Sequence, residues 1–261
     1  MARRSGERQM NASDGQAHMS LDDPPPLPLT EADVRNGDLL LFAGRGMEAR
    51  GVRLATGSHL SHVGTAYRCP VTDRAYIWEC GAVPDQVRPL IALAGSSIGS
   101  AHLAPLAARL RHCSGQAFVR PLLRVDAGRN DDGRGRADAV SARRYAGWIA
   151  RHVGTPYGVD FVSHWNQRDG FSLLPLSFIE PPASQDADEE CDDGWICSQL
   201  VALTYAALGV LELDRPSQTF MPGDFWSDAG EGDENGLCAR PPYVFGSPLR
   251  LVSSDREREF G

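Results

Sequence analysis

The chain has 261 residues, a formal net charge of -8 and a sequence pI of about 5.4, with 42% hydrophobic and 23% charged residues. These proportions describe a soluble globular protein of one large domain or two small ones, and the acidic balance opposes general binding to nucleic acid or anionic lipid. All 26 basic residues are arginines, which excludes a Walker-A lysine, a lysine Schiff base and any other chemistry that needs an amine side chain.

Residues 1–30 are polar and end in the proline-rich run Pro24-Pro25-Pro26-Leu27-Pro28, so they are expected to form a disordered tail. With no apolar leader and no stretch of 18 apolar residues, a cytoplasmic protein without an integral membrane segment is expected. In such a compartment the six cysteines (69, 80, 113, 191, 197 and 238) are expected to stay thiols. The folded domain is placed at 31–255, followed by a short tail at 256–261.

The first half has the texture of strands. Asp38 to Phe42 is an apolar run after Gly37, and His62 to Tyr67 and Tyr76 to Cys80 alternate in polarity, with a hairpin turn at Cys69 to Asp73 between them. Asp126 to Asp138, with three glycines and no large apolar residue, reads as a surface loop. The second half has the texture of helices. Tyr145, Trp148, Ile149, His152 and Val153 share one helical face ahead of Gly154 and Pro156, while Arg143, Arg144 and Arg151 form a local basic patch. The acidic stretch Pro181 to Asp193 reads as a surface insertion, and Trp195 to Leu208 as a helix closed by Gly209. Segregated strands and helices predict an α+β fold, an antiparallel sheet packed against helices.

Cys197 falls in the first turn of that last helix, where free N–H groups and the positive dipole end favour a thiolate; the same residue at helical spacing with Val201, Thr204 and Leu208 also fits a core thiol. His62 opens a strand and Glu79 ends the next. If Gly64 faces Glu79 across the hairpin, His62 and Glu79 are diagonal neighbours on one face, and a carboxylate can orient the imidazole. A slip of one residue would separate them. His59 is read as loop.

Gly37-Asp38-Leu39-Leu40-Leu41-Phe42, Ser61-His62-Val63-Gly64, Trp78-Glu79, Gly154-Thr155-Pro156-Tyr157-Gly158 and Cys197-Ser198-Gln199-Leu200-Val201 occur in this order. Together they resemble the permuted papain-like cysteine hydrolases of the NlpC-type superfamily, and within it the YiiX/YaeF-like branch with its poxvirus relatives. Pro216 to Trp226 extends the likeness. The resemblance implies a permuted papain-like fold with Cys197 as nucleophile, His62 as general base and Glu79 as its orienting carboxylate, and an oxyanion site or pocket at Tyr157, Ser61 and Trp195. The interval from Tyr157 to Cys197 is long for the pattern. The implied activity is that of a thiol hydrolase or acyltransferase, a peptidase, amidase or lipid deacylase, with a peptide or acyl-lipid substrate. A catalytically silent module binding a peptide, lipid or protein partner in the same groove is the alternative.

No cofactor is expected. His59-x-x-His62 lacks the glutamate of a zinc-protease motif, the cysteines form no CxxC pair, and Gly44-Arg45-Gly46 lacks the third glycine of a dinucleotide loop. Trp148, Trp165, Trp195 and Trp226 fit either a groove or core packing.

Overall fold

The structure is a computed structural model and describes residues 28–82, 87–90, 99–125, 138–158, 194–228 and 236–254. The tail up to residue 27, nearly all of 126–138, the stretch 181–193, Trp165, Cys191 and the last residues lie outside them.

Eight strands form, β1 Leu39–Ala43, β2 His62–Arg68, β3 Ala75–Gly81, β4 Ser100–Pro105, β5 Gln116–Arg120, β6 Leu122–Arg124, β7 Tyr243–Phe245 and β8 Leu249–Leu251. The helices are α1 Met47–Thr56, α2 Leu106–Arg111, α3 Ala142–His152 and α4 Cys197–Ala207. Six strands make one sheet in the order β4-β3-β2-β1-β5-β8, every pair antiparallel, and β6 pairs with β7 beside it. This is an α+β fold.

The run Leu39-Leu40-Leu41-Phe42 is apolar at every position because its strand lies mid-sheet and is covered on both faces. Leu39 and Leu41 join the core shared with α3 and α4, together with Val63, Trp78, Tyr145, Leu200 and Val201. Leu40 and Phe42 point the other way, to Ala66, Ile77 and the α2 residues Leu106 and Leu110. Asp38 stays outside the strand as a buried clamp. Its carboxylate accepts the backbone N–H groups of Arg35 at 2.8 Å and Leu122 at 3.0 Å, tying the start of β1 to β6.

The hairpin at Cys69 to Asp73 forms, and Asp73 adopts a left-handed φ of 53° there. Thr65 pairs with Trp78 and Ala66 with Ile77, the same register that sets Gly64 opposite Glu79. His62 and Glu79 therefore project from one face, toward α2.

Two boundaries differ from the sequence reading. Trp195 lies outside α4 because its backbone pairs with residues 156–158 instead. Asp138 is anchored, accepting from Asn36 N at 3.0 Å and Asn36 Nδ2 at 2.8 Å. Segregation is also incomplete, since α1 sits between β1 and β2 and β8 returns to the sheet. Helix α1 has a weak apolar face, Met47 and Leu54 being exposed, and so gives little periodic signal.

Helix α4 is buried on nearly every side, at Cys197, Ser198, Gln199, Leu200, Val201, Ala202, Thr204 and Tyr205. Thr204 Oγ1 holds it in place, accepting from Trp78 Nε1 at 3.1 Å and Trp148 Nε1 at 2.9 Å and donating to the Leu200 carbonyl at 2.7 Å. Behind it, Tyr205 donates to the Gly37 carbonyl at 2.8 Å. These bonds fix the helix start relative to β2 and β3.

Candidate functional site

The end of the sheet where β2 begins and β3 finishes meets the start of α4. His62, Glu79 and Cys197 are brought together there. His62 Nε2 lies 2.6 Å from Glu79 Oε2. Cys197 lines the same cavity as the imidazole. As Cys197 opens α4, its N–H and those of the next residues lack intrahelical acceptors and turn their positive end toward the thiol. Ile196, in extended conformation before it, caps the helix with no side-chain bond.

Glu79 is 2% exposed and is held by more than His62. Arg109 on α2 donates from Nε to both carboxylate oxygens, at 3.1 and 3.2 Å. His102 faces Glu79 across the β3–β4 pair with Nε2 3.4 Å from Oε1, and its Nδ1 donates to the Ser100 carbonyl at 2.7 Å. Burial alone would raise the Glu79 carboxyl. Arg109, then His102 and His62, outweigh it and hold the group well below the usual carboxylate range. Burial would likewise lower His62. The charge and hydrogen bond of Cys197, followed by those of Glu79, push it up to about 9 instead. These neighbours favour the protonated imidazole.

Cys80, one strand position beyond Glu79, is a different kind of cysteine. Its thiol donates to the Trp195 carbonyl at 3.1 Å, and burial, with the negative charges of Cys197 and Glu79, raises it far above the ordinary range. It stays protonated. The five described cysteines are all free thiols.

A pocket of about 240 Å³ opens over His62 and Cys197. Phe42, Ala49, Val52, Ile196 and Pro222 supply apolar wall, and Ser61, Tyr157, Ser198, Arg109, His112 and Ser114 the polar part. The wall at Pro222 is fixed from behind by buried Arg120, which donates to the carbonyls of Phe225 at 3.1 Å and Gly246 at 3.0 Å and to Asp228 Oδ1 at 2.9 Å. Gly81 has a φ of +152°, and a Cβ there would stand 3.6 Å from His62 Cε1 and 3.9 Å from Tyr157 Cε2. Its missing side chain lets the imidazole and Tyr157 share one wall.

Of the remaining expected pocket residues, Tyr157 lines the cavity. Ser61 does too, but its hydroxyl accepts from Gly44 N at 3.0 Å and donates to the Phe42 carbonyl at 3.2 Å, so its one proton is committed to joining β1 and β2. Trp195 is not among the described residues that line the pocket; its ring lies 5.2 Å from that of His152, tilted by 38°, and Trp148 packs on the same imidazole at 3.9 Å. Trp226 packs edge-on against His59 and Phe118, which makes it a wall of the fold. His59 is in a loop.

The long interval between Tyr157 and Cys197 does not displace Tyr157. Tyr157 and Trp195 form a β-bridge, Gly158 N donates to the Trp195 carbonyl at 3.0 Å and Trp195 N to the Pro156 carbonyl at 2.9 Å. At Gly194, φ +82°, a Cβ would fall 2.5 Å from the Pro156 oxygen, so this close approach requires glycine. Both ends of the interval meet at one place beside the site.

Arg109, His102 and Gly81 escaped the sequence reading. A hydrophobic or polar pattern marks none of them, and the register that sets His102 against Glu79 depends on a long connection between β3 and β4. Among the described residues no group of three or more His, Cys, Asp or Glu is placed to hold a metal ion, and no helix is long and apolar enough to cross a membrane.

No model of a known protein family matches the chain, and no curated protein matches it. Among solved structures it is similar to the metalloprotein YiiX from Escherichia coli O157:H7, with 21% identity, coverage of 71% of this chain and 78% of that one, and a TM-score of 0.38. That protein is of the branch whose motifs the sequence resembles.

Proposed function

We propose that the pocket is the active site of a cysteine-dependent hydrolase or acyltransferase with the permuted papain-like order, histidine and carboxylate before the nucleophile. Cys197 attacks an amide or ester carbonyl, forming a C–S bond as the tetrahedral intermediate develops. His62 takes the thiol proton and passes it to the leaving amine or alcohol as the C–N or C–O bond breaks. Water or a second acceptor, deprotonated by His62, then releases the acyl group from sulfur. Glu79 fixes the imidazole through Nε2 and stabilises its positive charge, leaving Nδ1 for the sulfur. The unpaired N–H groups at the start of α4, with the Tyr157 hydroxyl beside them, suit the developing oxyanion.

The observation that carries this reading is the imidazole of His62, 2.6 Å from a buried carboxylate and lining one cavity with Cys197. The apolar wall and the modest volume suit a short acyl or peptide segment rather than a folded protein. A panel of peptide, isopeptide and acyl-ester substrates, assayed with wild type and Cys197→Ala, tests it. Turnover on at least one class, lost in the variant, is expected; turnover retained by Cys197→Ala would end the proposal. Selective labelling of Cys197 by limiting iodoacetamide near pH 6 is expected as well, whereas uniform slow labelling of all cysteines would favour a silent binding module.

A further inference from the structure

The pocket differs in charge from the protein around it. The chain carries -8 overall, yet among the described residues that line the cavity there is no aspartate or glutamate and a single guanidinium, that of Arg109. Arg109 is fixed in two directions. Its Nε is committed to Glu79, at 3.1 and 3.2 Å, and its Cζ lies 4.6 Å above the Phe42 ring centroid. Its two terminal amino groups have no hydrogen-bond partner among the described residues, on a side chain only 14% exposed that lines the cavity. A planar, oriented guanidinium with unused donors is the usual reader of carboxylate and phosphate oxygens.

The neighbourhood adds to this. His112 and Ser114 line the cavity just after α2, and the backbone of Arg45 donates to Ser114 Oγ at 3.3 Å, which brings the start of α1 to this rim. Arg53 reaches the same rim through Nη1 to the Gly44 carbonyl at 3.3 Å, and its buried Nε has no partner. The apolar wall of Ala49, Val52 and Pro222 completes the cavity.

We propose that the substrate carries an anionic group, a carboxylate or phosphate, seated on the terminal amino groups of Arg109 while its carbonyl lies at Cys197. This rests on the catalytic reading above and adds the substrate's charge to it. In this role Arg109 is a specificity residue that also positions Glu79, and the two roles are separable by experiment.

The test compares the rates at which three reagents alkylate Cys197: N-bromoacetylethanolamine, which is neutral, N-bromoacetyl-β-alanine, a carboxylate, and N-bromoacetylethanolamine phosphate. In each, the sulfur displaces bromide, forming a C–S bond as C–Br breaks, and peptide mass spectrometry reads every cysteine separately. At low salt, one or both anionic reagents should label Cys197 at least about tenfold faster than the neutral one, the scale of a hydrogen bond to a charged group. Whichever anion gains more identifies the source. In Arg109→Gln that ratio should fall toward that of an exposed thiol such as Cys238. Arg109→Lys is the safer variant for folding, because its ammonium still satisfies Glu79, but a single nitrogen drawn to that carboxylate cannot also present the planar pair of amino groups that the guanidinium turns to the cavity; the ratio should fall there too. Loss of Arg109's hold on Glu79 slows all three reagents together, so the ratio isolates anion recognition. Equal rates in wild type, or a ratio unchanged in folded Arg109→Lys, would overturn the proposal. Failure of the neutral reagent to favour Cys197 over the other cysteines would instead count against the nucleophile, and the ratio at Cys197 would still decide the anion site.

Discussion

Replacing Glu79 with Gln keeps the shape of a 2%-exposed side chain and removes its charge from beside Arg109 at 3.1 Å, His62 at 2.6 Å and His102 at 3.4 Å. An amide cannot accept through both ends, so at least one buried donor is left facing an N–H. Breaking a buried pair this way costs about 3–5 kcal/mol, a large part of the 5–15 kcal/mol typical of a domain. The pH dependence has a definite sign. Glu79 titrates well below its ordinary value in the folded protein, so its stabilisation is fully present above its unfolded pKa of about 4.3 and is lost as pH falls through the lower folded value. Urea unfolding should show Glu79→Gln less stable than wild type by about 3–5 kcal/mol at pH 7, with the gap unchanged at pH 5.5 and narrowing below pH 4. Activity should fall by about 10²–10⁴, as when a triad carboxylate becomes an amide. A variant within about 1 kcal/mol of wild type at pH 7, or a gap that does not shrink in acid, would refute the picture of Glu79 as a buried anion held by Arg109 and His62.

Other outcomes follow from the same geometry. Cys197→Ala removes the largest influence raising His62, so the imidazole titration, followed by the ring Cε1–H resonance, should move down from about 9; an unchanged midpoint would show that the sulfur does not touch the ring. In the active protein, the alkaline limb of kcat/KM should lie near pH 9, where His62 loses the proton it delivers to the leaving group; a limb near 6.5 would contradict that assignment. Thr204→Val leaves the indole N–H groups of Trp78 and Trp148 without their shared acceptor and should lower stability by about 2–4 kcal/mol in chemical denaturation, each unpaired buried donor costing about 1–3 kcal/mol. Gly81→Ala forces a side chain onto a φ of +152°, beside His62 and Tyr157; a loss of turnover without a matching loss of Cys197 labelling is expected, and wild-type turnover would show that this wall tolerates a methyl group.

The parts legible in the sequence are those governed by local alternation. The apolar run at Leu39 to Phe42, the hairpin turn at Asp73 and the alternation on either side of it fix a register in which Gly64 opposes Glu79, and His62 and Glu79 meet because of it. The helix that Cys197 opens was legible from its apolar residues and Gly209. What depended on distant pairing was not legible. Arg109 and His102 reach Glu79 only after a long connection returns β4 to β3, and no spacing in the sequence measures that return. Trp195 looked helical by its neighbours, but a β-bridge to Tyr157 claims its backbone first. Ser61 sits where an oxyanion donor would be expected, and its proton is used in joining two strands.

The bridge between Tyr157 and Trp195 works as a collar on the chain. The chain at Gly158 and the chain at Gly194 are brought to one point by these contacts. Loop-closure entropy rises only slowly with length, and here the closing contacts are backbone hydrogen bonds that any sequence of the same termini can make. The collar stands at the edge of the cavity through Tyr157, and its closing bonds draw on neither the six-stranded sheet nor α4. Variation in what the pocket admits can accumulate there while the chemistry beneath it stays fixed.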